Sequence, residues 1–343
     1  MTPPSVVIEF STPFAVFLGD ITSETFAKTG LGLIRWRPGE CVGQVRLSAA
    51  TYDAGVPDLT AANARSQGAR SLIVGSAAVG GGVPDAWVPA LCDAARAGLD
   101  IVAGLHVRLA SLPGLAAAAE QGGARLIDVR VPPAGIPVGT GIKRPGRRIL
   151  TVGTDCACGK KYTALQLTED LRRRGYAATF RATGQTGIMI AGRGIPIDAV
   201  VADFVTGAAE QLSPAADPSH WDVIEGQGGL FHPGYLQVSV GLLVGSQPDA
   251  FVVCHDPLRT HVAGWPTFPL PTIPQLVERT MQLGRLTNPG IRCVGVALNT
   301  SRIPAHERAA LLAHHAEQTG LPCVDPLIDG TDAIVEHLEG LFS

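Results

Sequence analysis

A stretch rich in glycine and lysine, TVGTDCACGKKYTALQL at residues 151–167, has the residue types of a phosphate-binding loop. An apolar strand pattern leads into Gly153, and Gly159 and Lys160 precede a helical pattern. In such loops backbone N–H groups and the first turn of the helix surround a phosphate, and the lysine reaches the terminal phosphates. The spacing between the glycines is one residue longer than in G-x4-G-K-[ST], and Lys161 stands where the metal-binding hydroxyl belongs.

The longer loop resembles the G-T-D-x-x-x-G-K loop of the dethiobiotin synthetase branch of P-loop proteins. Thr163 is the nearest hydroxyl after the lysine pair, so metal binding by a loop hydroxyl is not expected. The alternative is a glycine-rich strand-to-helix turn without a ligand, and a lone C-x-C does not predict a metal site. The residues assigned to cofactor binding are Gly153, Thr154, Asp155, Cys156, Ala157, Cys158, Gly159, Lys160, Lys161, Tyr162, Thr163 and Asn299.

An acidic residue at the end of a neighbouring strand is where a P-loop protein holds Mg²⁺. In HWDVIEGQGGLFHPGY, residues 220–235, Glu225 ends an apolar run and is followed by glycines. We assign Asp203, together with Glu225, to a magnesium site, because the residues around Asp203 are rich in Ala, Val and Phe. The alternative is that Asp203 lies on a solvated acidic face of a helix.

Polar residues follow two further predicted strands, at the rim where parallel sheets bind ligands. Arg181 ends one strand and is assigned to a substrate carboxylate or phosphate. His255 ends another and is a candidate general base, or else a histidine that bonds a loop carbonyl. Asn299 ends a late strand and is assigned to adenine. Catalytic assignments are Lys160, Glu225, His255 and Arg181.

Substrate binding is assigned to residues from several turns. The polar turn after Arg181 contributes three of them, and a loop after His255 contributes Arg259 as a carboxylate clamp. Two more, from the N-terminal part, are assigned to a cleft between domains. The six are Thr183, Gln185, Thr186, Arg259, Lys28 and His106. A glycine-rich turn at 75–84 could also admit a ligand.

The chain has 343 residues, which suggests about two domains. Short apolar strands alternate with helical patterns over 1–132, which predicts a Rossmann-like parallel sheet. Residues 133–147 combine prolines and glycines without periodicity and are assigned as a linker. Strand–helix pairs over 148–343 predict a second parallel sheet, covered on both faces.

The predicted segments of the second domain follow from apolar runs and helical spacing. Strands are expected at 148–153, 177–182, 221–226, 249–254, 291–298 and 322–325. Helices are expected at 160–174, 198–211, 274–286, 304–318 and 330–342.

Composition argues against several classes of partner. The net charge is −3 and the pI about 6.3, which does not favour nucleic acid or an anionic membrane. An odd count of seven cysteines at irregular spacings argues against a disulfide framework and favours a reduced, cytoplasmic setting. No run reaches the roughly 18 apolar residues that span a bilayer. We expect a small-molecule partner and allow for a homo-oligomer.

Four long motifs together resemble the D-glutamate N-acetyltransferase-like proteins, long described only as a domain of unknown function. They are GTDCACGK, ATGQTGIMIAGRGIPIDAVVADFVTGAAE, DVIEGQGGL and VVCHDPLR, and the N-terminal FLGDITSETFAKTGLGLIRW also fits. The resemblance covers nearly the whole chain. It implies a Rossmann-like domain followed by a P-loop domain, acetyl transfer from acetyl-CoA to the amine of D-glutamate in D-amino-acid metabolism, and an enolase-superfamily racemase or epimerase as pathway partner.

Two chemistries remain open from the residues. In acyl transfer, Gly159 and Lys160 would hold the phosphates of CoA, and His255 or Glu225 would deprotonate the amine. In the alternative, an ATP- and Mg²⁺-dependent ligase or kinase, Lys160 would stabilise the γ-phosphoryl group as it passes to a substrate carboxylate. A nucleotide-regulated binding protein is a third, non-enzymatic alternative.

Overall fold

The computed structural model describes residues 6–7, 9–76 and 82–342. Residues 77–81 of the glycine-rich turn at 75–84 lie outside them. Among the described helices, none combines the length and the apolar character that crossing a bilayer requires.

The described chain forms fifteen strands and eleven α-helices. The strands are β1 (Val6–Val7), β2 (Phe14–Gly19), β3 (Cys41–Arg46), β4 (Ser71–Val74), β5 (Asp100–Ala103), β6 (Leu126–Asp128), β7 (Arg147–Gly153), β8 (Ala178–Arg181), β9 (Arg193–Gly194), β10 (Trp221–Ile224), β11 (Ala250–His255), β12 (His261–Val262), β13 (Trp265–Pro269), β14 (Arg292–Leu298) and β15 (Cys323–Val324). The helices are α1 (Lys28–Trp36), α2 (Ala61–Ser66), α3 (Val88–Arg96), α4 (Leu115–Gly122), α5 (Lys160–Arg173), α6 (Gln185–Ala191), α7 (Val205–Leu212), α8 (Leu236–Ser246), α9 (Ile273–Gly284), α10 (Ala305–Thr319) and α11 (Asp332–Phe342).

Two compact units divide the chain. Among the described residues, the N-terminal unit lies within Val6–Val131 and Gln185–Pro196, and the C-terminal unit consists of Pro132–Gly184 and 197–342. The predicted boundary therefore needs one correction, because Gln185–Pro196 packs with the N-terminal unit. Its strand β9 pairs antiparallel with β1, and the Thr186 hydroxyl lies 2.8 Å from that of Thr29.

The N-terminal unit contains a five-stranded parallel sheet in the order β3-β2-β4-β5-β6. Every residue of β2, β4 and β5 is buried, as expected when crossover helices cover both faces of a parallel sheet. The core contains Phe17 and Trp87, whose rings meet edge to face with centroids 5.5 Å apart.

The C-terminal unit contains a six-stranded parallel sheet in the order β15-β14-β11-β7-β10-β8. Three adjacent strands, β11, β7 and β10, are almost entirely buried. Helix α9 begins with a capping box, in which Thr272 accepts from the Gln275 N–H and the Gln275 side chain accepts from the Thr272 N–H. The predicted two-domain α/β class with parallel sheets is confirmed.

Four elements of the C-terminal unit differ from the predicted segments: α7, α8, β12 and β13. The helix predicted from 198 begins only at Val205, because Val201 is extended with ψ of 137° and interrupts it. Two short 3-10 turns, Ile197–Ala199 and Ala202–Phe204, replace its first part. Helix α8 and the antiparallel pair of β12 and β13 were not predicted.

Candidate functional site

The loop between β7 and α5 curls tightly before the helix begins. Gly159 has φ of 108° and Ala157 has φ of 51°, so both lie in the left-handed region. A Cβ on Gly153 would lie 2.5 Å from the Cys158 sulfur and 2.9 Å from Lys160 Nζ. Glycine at 153 therefore leaves the space that the lysine ammonium occupies.

Lys160 is buried within this curl. Its Nζ donates to the Asp155 carbonyl at 2.7 Å and to the Gly228 carbonyl at 2.8 Å. The ammonium thus joins the loop to the turn after β10. A buried cation at a helix N-terminus, surrounded by a curl of backbone, is the arrangement that binds a phosphate.

A buried carboxylate stabilises the shape of the loop. Asp155 accepts from the Arg259 guanidinium at 2.7 Å, from the Ala263 N–H at 2.9 Å and from the Cys156 N–H at 2.7 Å. The same Arg259 nitrogen donates to the Cys156 carbonyl at 2.7 Å. Arg259, assigned from sequence to the substrate, is thereby engaged with the loop instead.

Glu225 directly follows β10, and its carboxylate is almost fully buried. Its Oε2 accepts from the N–H groups of Thr183 and Gly184 at 3.0 and 3.1 Å. Burial raises the pKa of the Glu225 carboxyl, and the charge of Lys161 and the two N–H bonds partly oppose this rise. The Thr183 hydroxyl donates to the Glu225 carbonyl at 2.7 Å, so Thr183 holds this acid in place.

The glycine after Glu225 is required by a close backbone approach. A Cβ on Gly226 would lie 1.6 Å from the Thr151 carbonyl oxygen and 3.1 Å from Lys160 Cδ. The Gly226 N–H donates to the Thr151 hydroxyl at 2.9 Å. The turn after β10 therefore packs directly on β7 and on the lysine stem.

His255 ends β11, the strand on the other side of β7. Its Nδ1 lies 2.9 Å from the Thr154 hydroxyl. Burial, followed by the nearby His315, lowers the pKa of His255 to about 4, so the ring is neutral at pH 7. The Asn299 N–H donates to the His255 carbonyl at 2.9 Å, and Asn299 Oδ1 accepts from the Ser301 N–H at 3.3 Å.

These features converge because their strands are neighbours in the sheet. Strands β10, β7 and β11 lie side by side, so Glu225, the loop and His255 all follow carboxyl ends at one edge. The strand order reverses beside β7, and such a switch point is where open α/β sheets bind ligands. The structure thus brings Lys160, Glu225 and His255 to one rim.

Two of the predicted site residues have other surroundings. Arg181 donates to Asp222 at 2.7 Å, and Asp222 also accepts from the Ser213 hydroxyl at 2.9 Å. Because Asp222 precedes Glu225 by three residues on β10, this ion pair lies back along the strands from the rim. Asp203 is exposed in a 3-10 turn, and the acid whose charge raises the pKa of Glu225 is Asp198.

Four of the predicted substrate residues belong to the N-terminal unit. Lys28 is exposed at the start of α1, and His106 lies beside Arg130, with Nδ1 3.1 Å from its Nη1. Gln185 packs closely against Gly104, because a Cβ on Gly104 would lie 1.9 Å from the Gln185 side-chain oxygen. Thr186 pairs with Thr29 as described above.

The remaining loop residues are bonded within the C-terminal unit. The Cys158 thiol donates to the Asp155 carbonyl at 3.1 Å. Lys161 Nζ lies 4.4 Å from the centre of the Tyr162 ring. The Thr163 hydroxyl donates to the Gly159 carbonyl at 3.1 Å and accepts from the Cys254 thiol at 3.4 Å.

His232 is a neighbour of the loop that the sequence analysis missed. It is buried, with its ring against Tyr235 and Trp265, and it forms with Asp155 and Cys156 a group whose ligand atoms lie within 4.8 Å of one another. Burial lowers the pKa of His232 and raises that of the Cys156 thiol. The histidine follows the glycines after Glu225, and that position was the available signal.

The fold and rim define a class: a two-domain α/β protein whose second domain carries a P-loop. Comparison with known families agrees. Residues 39–132 match the Rossmann-like domain DUF1611_N, and residues 137–335 match the P-loop domain DUF1611_C, both described as domains of unknown function. The chain belongs to the DUF1611 family.

Related proteins are similar over nearly their whole length. One from Tritonibacter scottomollicae, named D-glutamate N-acetyltransferase, is 43% identical over 95% of this chain and 98% of its own. Another of that name, from a Pseudoalteromonas species, is 40% identical over 96% of this chain and 100% of its own. The crystal structure of a DUF1611 protein from Anabaena variabilis superposes with a TM-score of 0.86 at 34% identity, covering 96% of this chain and 100% of that one. The protein is accordingly an enzyme, a transferase of the N-acetyltransferase type.

Proposed function

We propose that this enzyme transfers the acetyl group of acetyl-CoA to the amine of D-glutamate, in D-amino-acid metabolism. The observation that carries the proposal is the name shared by two relatives that are 43% and 40% identical over at least 95% of the chain. A racemase or epimerase of the enolase superfamily, which the family resemblance implies, would act beside it on the same amino acid.

The loop at 153–160 would hold the phosphates of CoA. Acetyl-CoA has a diphosphate and a ribose phosphate, and the loop has a buried ammonium on Lys160 and a helix N-terminus at Gly159. Both features favour an anion. The bonds from Arg259 and Ala263 to Asp155 keep the curl in shape.

The amine of the substrate must lose a proton to attack the thioester carbonyl. Of the two candidate bases, Glu225 is the better proton acceptor, because burial raises the pKa of its carboxyl while burial lowers the pKa of His255. We therefore assign Glu225 as the general base and His255 as a neutral hydrogen-bonding group beside the loop. The Glu225 carboxylate accepts hydrogen bonds from two backbone N–H groups, which fix its direction.

An ATP- and Mg²⁺-dependent ligase is the second candidate, and the observation that favours it is the position of Glu225 after β10, where P-loop enzymes place a magnesium-binding acid. Lys161 after Lys160, in place of a hydroxyl, argues against it. The names of the relatives also favour acyl transfer.

The decisive experiment measures thiol release from acetyl-CoA by the purified protein with D-glutamate, with L-glutamate and without an amino acid. We expect thiol release that requires D-glutamate, and mass spectrometry should identify N-acetyl-D-glutamate. Phosphate release from ATP under the same conditions would support the ligase instead. A Glu225→Gln variant should lose kcat strongly while retaining affinity for acetyl-CoA; an unchanged kcat would remove Glu225 from the chemistry.

A further inference from the structure

The residue after the P-loop lysine is a second lysine. In P-loops this position carries a Ser or Thr whose hydroxyl binds Mg²⁺. Here it is Lys161, the second residue of α5. The nearest hydroxyl, on Thr163, already donates to the Gly159 carbonyl and accepts from the Cys254 thiol, so it is bonded within the helix and to β11.

The acid that would complete a magnesium site is already bonded within the protein. Glu225 Oε2 is bonded to the N–H groups of Thr183 and Gly184. Lys161 lies in the first turn of α5, and its Nζ is 4.4 Å from the centre of the Tyr162 ring. At the position of the usual metal-binding hydroxyl, the loop therefore has an ammonium of the protein.

The carboxylate, thiol and imidazole group beside the loop does not fit a metal either. Both oxygens of Asp155 accept hydrogen bonds, and one of the donors is the Arg259 guanidinium, which would repel a cation. His232 Nδ1 accepts from the Gly234 N–H at 3.1 Å, so its Nε2 carries the proton and has no lone pair for a metal. In the described residues this is the one such group of three or more metal-binding side chains.

We propose that this P-loop binds its phosphate ligand free of divalent metal, with the Lys161 ammonium in the place that Mg²⁺ takes in nucleotide-hydrolysing P-loops. Lys161 then determines specificity, since it favours an organic diphosphate such as that of CoA over the Mg²⁺ complex of ATP. The choice of CoA rests on the proposed function, whereas metal-free binding of a diphosphate does not.

The test measures equilibrium binding of inorganic pyrophosphate, CoA and ATP to the full-length protein, each with EDTA and with excess Mg²⁺. We expect pyrophosphate and CoA to bind in EDTA, with affinities that Mg²⁺ does not improve. Binding of every probe only when Mg²⁺ is present would overturn the proposal, as would absence of pyrophosphate binding under both conditions. Pyrophosphate binding in EDTA that CoA does not displace would contradict the proposed cofactor and leave the metal-free loop standing.

Variants at position 161 separate charge from shape. Lys161→Met should weaken pyrophosphate binding in EDTA about tenfold, the effect of losing a hydrogen bond to a charged group. Lys161→Arg is the matched control, because it keeps the positive charge, and its affinity should stay closer to that of the parent than the affinity of the Met variant. Lys161→Thr restores the hydroxyl of other P-loops, and Mg²⁺ should improve its binding. Equal affinity of the Met and Arg variants in EDTA, with unchanged thermal unfolding, would show that the charge has no role.

Discussion

In the N-terminal unit the strand order changes direction between β2 and β4, and in the C-terminal unit it does so beside β7. Each change produces a gap at the carboxyl ends of the strands where a ligand can enter. The C-terminal unit surrounds its gap with the loop at 153–160 and places the Lys160 ammonium there. The two gaps therefore start from the same topology.

At the N-terminal gap, the described residues just after β2 and β4 pack closely against other parts of the unit. A Cβ on Gly19, at the end of β2, would lie 2.5 Å from the ring of Trp87, and the Trp87 indole N–H donates to Asp20 at 2.7 Å. Gly75, after β4, packs against Gly30: a Cβ on Gly75 would lie 2.8 Å from the Gly30 Cα. Topology thus provides the place for a ligand, and the residues that follow the strands determine what packs there.

Removing the buried ring beside the end of β2 should have the largest effect. Trp87 is fully buried against Phe17, so Trp87→Ala should lower the free energy of unfolding by about 3–5 kcal/mol. Denaturant unfolding measures this loss. Trp87→Phe is the control, because it retains most of the buried ring. A loss below about 1 kcal/mol for the alanine variant would mean that the ring contributes little to the packing of this unit.

Removing the Lys160 ammonium should weaken binding and also loosen the contact between the loop and the turn after β10. Lys160→Met leaves an apolar stem of similar length but removes the ammonium between the Asp155 and Gly228 carbonyls. We expect affinity for acetyl-CoA to fall about a hundredfold, which corresponds to about 3 kcal/mol for a charged contact. Calorimetric titration measures it.

The control for Lys160 is Arg285→Met, at an exposed position just after α9. It removes one positive charge from the same unit without touching the loop, so affinity should stay within about twofold of the parent. If both variants lose affinity equally, general charge attraction rather than the loop accounts for binding.

The neutral His255 predicts a pH dependence of stability. Its pKa is lowered to about 4 in the folded protein, from about 6.5 when unfolded. The unfolded chain therefore binds more protons between these values, and stability rises with pH through this window. Between pH 7.5 and pH 5 the protein should lose about 2 kcal/mol through this group.

Comparison with His255→Asn isolates this contribution from other titrating groups. Asparagine places a polar atom near the Thr154 hydroxyl and does not titrate. Denaturant unfolding at both pH values should show a smaller loss for the variant than for the parent. An equal loss in the two proteins would assign the acid sensitivity elsewhere.

Local sequence patterns located the strand-to-helix loop and the acid after β10. The loop from Gly153 to Lys160 and the acid Glu225 were found because glycines, lysine and an apolar strand are adjacent in sequence. The contacts of Arg259 and Arg181 could not be predicted in this way. Their carboxylate partners, Asp155 and Asp222, are remote along the chain. The sequence pattern of an arginine at a strand end is the same whether its side chain binds a substrate or a neighbouring carboxylate.

Helix α8 and the segment Gln185–Pro196 show two further limits. The sequence of α8, LQVSVGLLVGS, has apolar residues all around and two glycines, so it lacks the one-sided pattern that indicates a surface helix. Gln185–Pro196 leaves the C-terminal unit to pair β9 with β1, a contact between segments more than 180 residues apart. Neither feature is visible in any short window of sequence.

The smallest expected effect concerns the contact that joins the loop to β11. Thr154→Val keeps the shape of the side chain and removes the hydroxyl that lies 2.9 Å from His255 Nδ1. The cost in unfolding free energy should be about 1 kcal/mol, the net worth of one hydrogen bond. Because the backbone curl and Lys160 are unchanged, affinity for acetyl-CoA should remain near that of the parent, while kcat should fall if the orientation of His255 matters to acetyl transfer. Steady-state kinetics distinguishes an effect on binding from an effect on kcat. A rise in KM for acetyl-CoA with unchanged kcat would mean that Thr154 acts only through the phosphate-binding loop and that His255 takes no part in the reaction.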